Sequence, residues 1–169
     1  MKNTLTFEEE IVDRWDCRFM NRAIDLIAWS KDHNTGVGAV IVNGRYIVSE
    51  GYNGFPVGVD DGVKERFERP MKYLYTTHAE INAIITAGRH GKNVENCTLY
   101  CTKFPCATCA GAIIQAGITR IVTVPLEEGR WNNSHEAALT MFKEVNVRIK
   151  YWDMPIDEDS AYKKRLTSR

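Results

Sequence analysis

Residues 77–111 constrain this chain more than any other stretch. They hold His78-Ala79-Glu80 and, after a gap of 24 residues, Pro105-Cys106-Ala107-Thr108-Cys109. One imidazole and two thiolates form a three-ligand set suited to Zn²⁺, and three protein ligands leave a fourth tetrahedral position for chemistry, whereas a structural zinc takes all four from protein. Cys106 and Cys109 are three apart, so on the first turn of a helix both sulfurs project to one side. Pro105 suits a helix start, and the positive end of the helix dipole favours the thiolates. His78 and Glu80 are two apart, about 200° around an ideal helix, which predicts His78 at a loop-to-helix junction with Glu80 just inside. Two helix N-termini then face each other across one metal, with Glu80 as the candidate proton carrier.

Taken alone, Cys106-x-x-Cys109 reads equally as a redox pair, half a structural zinc site or two buried thiols. Its combination with His78-x-Glu80, each half followed by a helix-like run, favours a catalytic metal. The two halves resemble the H-x-E…P-C-x-x-C signature of the zinc-dependent nucleobase deaminases. The resemblance implies Zn²⁺ as cofactor, His78, Cys106 and Cys109 as ligands and Glu80 as the acid/base. In that family a metal-activated water attacks the amino-bearing ring carbon, and the glutamate moves protons to the ring nitrogen and the departing ammonia.

Composition narrows the substrate. Lys+Arg and Asp+Glu are equal at 22 each, so no global positive field draws the chain onto a polynucleotide, and a small substrate fits better. Outside the motif stand Cys17, Cys97 and Cys101, an odd remainder without framework spacing, which reads as a reducing compartment. No apolar run of about 18 residues and no signal-like start is present. The expectation is a soluble, cytoplasmic protein with no membrane partner. At 169 residues there is room for one domain.

Along the chain, residues 1–14 are polar and acidic and read as an N-terminal extension. From Asp16, a plausible N-cap, Phe19, Met20, Ala23, Ile24, Ile27 and Ala28 make an amphipathic helical stripe. Residues 37–42 and 46–51 read as a hairpin turning at Asn43-Gly44. Residues 51–58, rich in glycine, read as loop. The irregular segment 59–74, with Lys64, Arg66, Arg69 and Lys72, leads into His78 and is expected to wall the pocket. Three helix–strand units follow: helix 80–87 with strand 98–102, helix 107–116 with strand 120–124, and helix 134–143 with strand 145–152. This order predicts an α/β protein with a five-stranded mixed sheet and helices on both faces, which resembles the three-layer α-β-α cytidine deaminase-like fold. The domain is placed at 15–152, followed by a charged tail at 153–169.

Text outside the metal motif resembles the deoxycytidylate (dCMP) deaminases: Trp29-Ser30-Lys31-Asp32, residues 37–42, residues 51–56, Arg69-Pro70-Met71-Lys72-Tyr73 and residues 110–118. The resemblance implies deamination of dCMP to dUMP. It also implies Asn53 at the sugar and Ala79 among the substrate contacts, with Trp131 the nearest aromatic to a tyrosine that touches substrate in some relatives. A 5′-phosphate needs cationic or backbone donors, for which Lys31 and the basic set before His78 are candidates. Tyr52, Gly54 and Phe55 lie in the loop where effectors (dCTP, dTTP) act in regulated relatives, and a homo-oligomer, a hexamer, is the family expectation. The alternatives are a tRNA adenosine deaminase, for which a more basic surface is expected, and a deaminase of another cytosine nucleotide.

Overall fold

The computed structural model describes residues 14–126 and 129–152. The proposed extension before Arg14 and the charged tail at 153–169 lie outside the described residues. Helix α1 (Arg14–Ile27) leads into the hairpin of β1 (Gly38–Asn43) and β2 (Tyr46–Tyr52). A 3-10 turn (Lys64–Phe67) and one turn of helix, α2 (Lys72–Tyr75), connect to α3 (Ala79–Arg89) and β3 (Thr98–Cys101). The chain then continues as α4 (Ala107–Gln115), β4 (Arg120–Thr123), α5 (Asn132–Glu144) and β5 (Arg148–Tyr151). The sheet order is β2-β1-β3-β4-β5. β1 is antiparallel to β2 and β3, while β3, β4 and β5 are parallel, which is the expected five-stranded mixed sheet.

The period of two along each strand separates the two cores. Ala39 and Ile41 of β1, Leu99 and Cys101 of β3 and Ile121 of β4 face α3, α4 and α5. Val40, Val42, Tyr100 and Val122 face Phe19, Met20, Ala23 and Leu26 of α1. Strands covered on both faces are apolar throughout, which is why β1 reads as a continuous apolar run. Among the described residues no helix is long and apolar enough to cross a membrane.

The boundaries depart from the sequence reading in instructive places. α1 starts at Arg14, so Asp16 is not an N-cap. It lies buried in the first turn, where its carboxylate accepts both Nη groups of Arg120 at 2.9 and 2.8 Å and the Tyr100 hydroxyl at 2.7 Å. The hairpin loop is Gly44-Arg45, with Gly44 at φ 59° and Asn43 still paired to Tyr46. β2 extends through Gly51 and Tyr52, although glycine there suggested a loop. Gly51 serves close approach: a Cβ on it would lie 2.4 Å from the Ala79 carbonyl oxygen and 2.5 Å from the Ala83 nitrogen. Its absence lets the start of α3 press onto the sheet. β5 begins at Arg148 because α5 runs to Glu144 and Asn146 turns the chain at φ 58°.

Candidate metal and active site

The carboxyl ends of parallel strands are where α/β sheets build their sites. Here the loops after β3 and β4 and the segment leading into α3 surround a cavity of about 440 Å³. His78 is the N-cap residue of α3 and Cys106 that of α4, so both helix N-termini open onto the cavity as the spacing predicts. His78 Nδ1 lies 3.5 Å from Cys106 Sγ and 3.4 Å from Cys109 Sγ. All three ligand atoms fall within 4.8 Å of one another. A tetrahedral zinc with Zn–N near 2.0–2.1 Å and Zn–S near 2.3 Å requires an N···S separation of about 3.6 Å. The three residues therefore fit a zinc ion, and one nitrogen with two sulfurs is the donor chemistry zinc prefers.

Electrostatics within the cluster follow from burial and hydrogen bonding. The hydrogen bond from the Cys109 thiol is the largest effect on Cys106. With help from His78 it outweighs burial and brings the Cys106 pKa down to about 4. The same bond, reinforced by burial, pushes Cys109 up. The Cys106 sulfur in turn raises His78 against burial. Glu80 lines the cavity beside this group and is 3% exposed. Burial pushes its carboxyl above the ordinary range, with His78 opposing. A carboxylate whose affinity for protons is raised is suited to taking and returning one.

The remaining sequence candidates divide between the cavity and the outside. Ala79, Asn53 and Trp131 line the cavity. The Asn53 amide is engaged by backbone: Oδ1 accepts the Val37 N–H at 2.7 Å and Nδ2 donates to the Thr35 carbonyl at 2.8 Å. It holds the 35–37 loop that forms one wall. The Trp131 ring stands edge-on to His78 and Tyr73, with centroids 6.3 and 6.0 Å away.

Lys31 does not line the cavity. The chain turns after α1 so that Asp32 points inward and Lys31 outward, where its Nζ meets Asp61 at 2.5 Å. From the basic set before His78, Lys72 faces the cavity and pairs with Asp32, whereas Arg66 lies over the Tyr75 ring at 4.9 Å. Segment 59–74 thus supplies a wall through Lys72 and Tyr73. Tyr52, Gly54 and Phe55 also lie off the cavity lining. Tyr52 is tilted against Trp29 at 6.1 Å, Gly54 bridges to Thr77 just before His78, and Phe55 stacks on Phe67 at 4.5 Å.

Sequence reasoning missed Asp32, Lys103, Phe104, Arg130 and His135, all of which line the cavity. Lys103 and Phe104 directly precede Pro105-Cys106 and were legible by adjacency to the motif. His135 and Arg130 arrive from the β4–α5 connection and α5, with no local pattern to mark them.

Comparison with known proteins agrees with this arrangement. The family model described as "Cytidine and deoxycytidylate deaminase zinc-binding region" matches residues 13–124. An uncharacterised deaminase from the luxG 3′ region of Aliivibrio fischeri is 39% identical over 150 residues, covering 87% of this chain and 98% of that protein. The deoxycytidylate deaminase of Homo sapiens is 40% identical over 144 residues, 80% of this chain and 78% of that one. The crystal structure of a dCMP deaminase from the cyanophage S-TIM5, in complex with dCMP and dUMP, superposes with a TM-score of 0.66. It covers 85% of this chain and all of its own at 22% identity, a likeness of fold. The sheet described above is therefore the cytidine deaminase-like one. Its helix N-termini carry that family's metal motif, and the family's zinc-binding region spans most of the described chain; this chain belongs to the cytidine and deoxycytidylate deaminase family.

Proposed function

We propose that the chain catalyses the hydrolytic deamination of dCMP, consuming water and yielding dUMP and ammonia, in the supply of pyrimidine deoxynucleotides. The observation that carries this reading is the convergence of His78 Nδ1 with the Cys106 and Cys109 sulfurs beside a buried Glu80, where His78, Glu80 and Cys106 line one cavity. Kinship with deoxycytidylate deaminases from human and from Mus musculus, the latter 37% identical over 159 residues, supports the choice of nucleotide. His78, Cys106 and Cys109 hold the zinc, which when bound supplies the Lewis acidity that makes water a nucleophile near neutral pH. Glu80 passes the first proton of the attacking water to the ring nitrogen, then carries the remaining hydroxyl proton to the amino group, which leaves as ammonia as the C–N bond breaks and the carbonyl of dUMP forms. Trp131 and Tyr73 close over the base and exclude water, and Asn53 holds the wall that faces the sugar. Lys103 and Arg130 give the lining the positive charge a 5′-phosphate needs, the charge of Lys72 being offset by Asp32.

Ammonia release from dCMP, CMP, deoxycytidine, dCTP and an adenosine-bearing tRNA loop tests the reading. dCMP is expected to react fastest. A charge-assisted phosphate contact contributes roughly 1.5–3 kcal/mol, so deoxycytidine should trail by about tenfold or more in kcat/KM. Equal rates for deoxycytidine and dCMP would remove the phosphate from the argument, and release from the tRNA loop alone would replace the substrate class.

From the sequence resemblance we further propose a cytoplasmic homo-oligomer, a hexamer, responsive to dCTP and dTTP, with the deaminase unit at residues 15–152. None of the five cysteines is paired in a disulfide, in keeping with a reducing compartment. Exposed Trp29, Tyr46, Ile47 and Tyr52 give the hairpin side an apolar surface for another subunit. Sedimentation showing a monomer, with rates indifferent to both triphosphates, would refute assembly and regulation together.

A further inference from the structure

A helix beginning in Ser, Thr, Asp or Asn caps its own free N–H groups. Neither metal-bearing helix does so, because its N-cap side chain is a ligand: His78 and Cys106 make no side-chain cap bond. At α4 the first helical N–H finds its acceptor on another helix. Ser134, in the first turn of α5, accepts the Ala107 N–H on its Oγ at 2.9 Å. Ala107 follows Cys106 directly and stands two residues before Cys109, so whatever fixes its amide fixes the backbone that carries both sulfurs. Ser134 is itself anchored: Ala138 and Phe142 of α5 are fully buried in one cluster with Ala110 and Ile113 of α4.

We propose that Ser134 is a positioning residue for the metal site, holding the α4 N-terminus so that Cys106 and Cys109 stand at ligand distance from His78 before zinc arrives. The inference rests on the zinc reading above and adds a residue outside both halves of the metal motif. Groups that orient metal ligands without touching the metal are typically worth about 10–100-fold in affinity. Ala107 is the first helical residue, whose N–H an N-cap side chain does not serve, so the acceptor that fixes it comes from Ser134.

Zinc affinity of the full chain, measured by competition with a chromogenic chelator, tests the proposal together with Tm in EDTA and in excess zinc. Ser134→Ala is expected to weaken zinc binding about 10–100-fold and to shrink the zinc-induced rise in Tm. The pair Ser134→Thr and Ser134→Val differs by a hydroxyl against a methyl, so it carries the test even where Ser134→Ala folds poorly. Thr is expected to bind near the wild-type affinity and Val to resemble Ala. Thr140→Ala removes an exposed hydroxyl bond to the Glu136 carbonyl on the same helix and should bind zinc as wild type does. Wild-type affinity in Ser134→Ala or Ser134→Val, with or without a lower Tm, would reduce the bond to helix packing and overturn the proposal. A wild-type chain that takes up no zinc would instead overturn the metal reading on which it stands.

Discussion

Lys72 and Asp32 form an ion pair inside the cavity wall, where they are 8% and 2% exposed. Asp32 also accepts the backbone N–H groups of Asn34 and Thr35 at 2.9 and 3.3 Å and the Asn53 amide at 3.4 Å. One carboxylate therefore ties α2, the 34–35 turn and Asn53 together. Breaking a buried pair leaves a desolvated charge, which costs about 3–5 kcal/mol. Asp32→Ala is expected to lose that much in urea denaturation, and Lys72→Met somewhat less, because Asp32 keeps its amide donors. The double variant should lose less than the sum of the two. Additive losses would show that the pair is not a unit.

The Asp16–Arg120 pair makes a pH prediction. Burial raises the Asp16 pKa, but the hydrogen bonds from Arg120 and Tyr100 and the Arg120 charge outweigh it and leave the carboxyl below its ordinary 3.8. A folded-state pKa below the unfolded one stabilises the fold above the unfolded value, and that stability is lost as pH falls through the folded value. The stability difference between wild type and Asp16→Asn is therefore expected to be constant from pH 7 to about 5 and to shrink below 3.8. A difference that grew on acidification would reverse the sign of the argument.

Two glycines are expected to respond oppositely to alanine. At Gly51 the added Cβ meets backbone of Ala79 and Ala83 at 2.4 and 2.5 Å, which forces α3 off the sheet at a cost of about 1–3 kcal/mol or more. Because α3 carries Glu80 and starts beside His78, zinc affinity should fall as well. At Gly88, inside α3, nothing lies within 4 Å, and Gly88→Ala should stabilise by about 0.5–1 kcal/mol. Thermal denaturation of both variants, with and without zinc, checks the contrast. Equal effects would mean that α3 does not seat on Gly51.

The metal triad was legible because its residues sit at helix starts, where spacing alone decides direction. The sheet was legible because residues 39–42 and 121–122 are apolar on both sides, as covered strands must be. Asp16 was misread, since local pattern cannot distinguish an N-cap from a carboxylate that finds Arg120 over a hundred residues away. Lys31 and Asp32 are adjacent, and which of them faces inward depended on how the chain turns after Ile27. Ser134 carries no motif, because its partner is a backbone N–H. The long-range polar contacts were thus the illegible part, and they are what complete the site.

We propose that Glu80 moves the protons of dCMP deamination beside a zinc held by His78, Cys106 and Cys109. It is tested most directly by ammonia release from dCMP with the wild-type chain and Glu80→Gln, each loaded with one zinc. The amide can hydrogen-bond but cannot carry a proton, and a proton-transfer role contributes at least ~10²-fold. Glu80→Gln is expected to retain zinc and to lose at least that factor in turnover; turnover near wild type would remove Glu80 from the proton path.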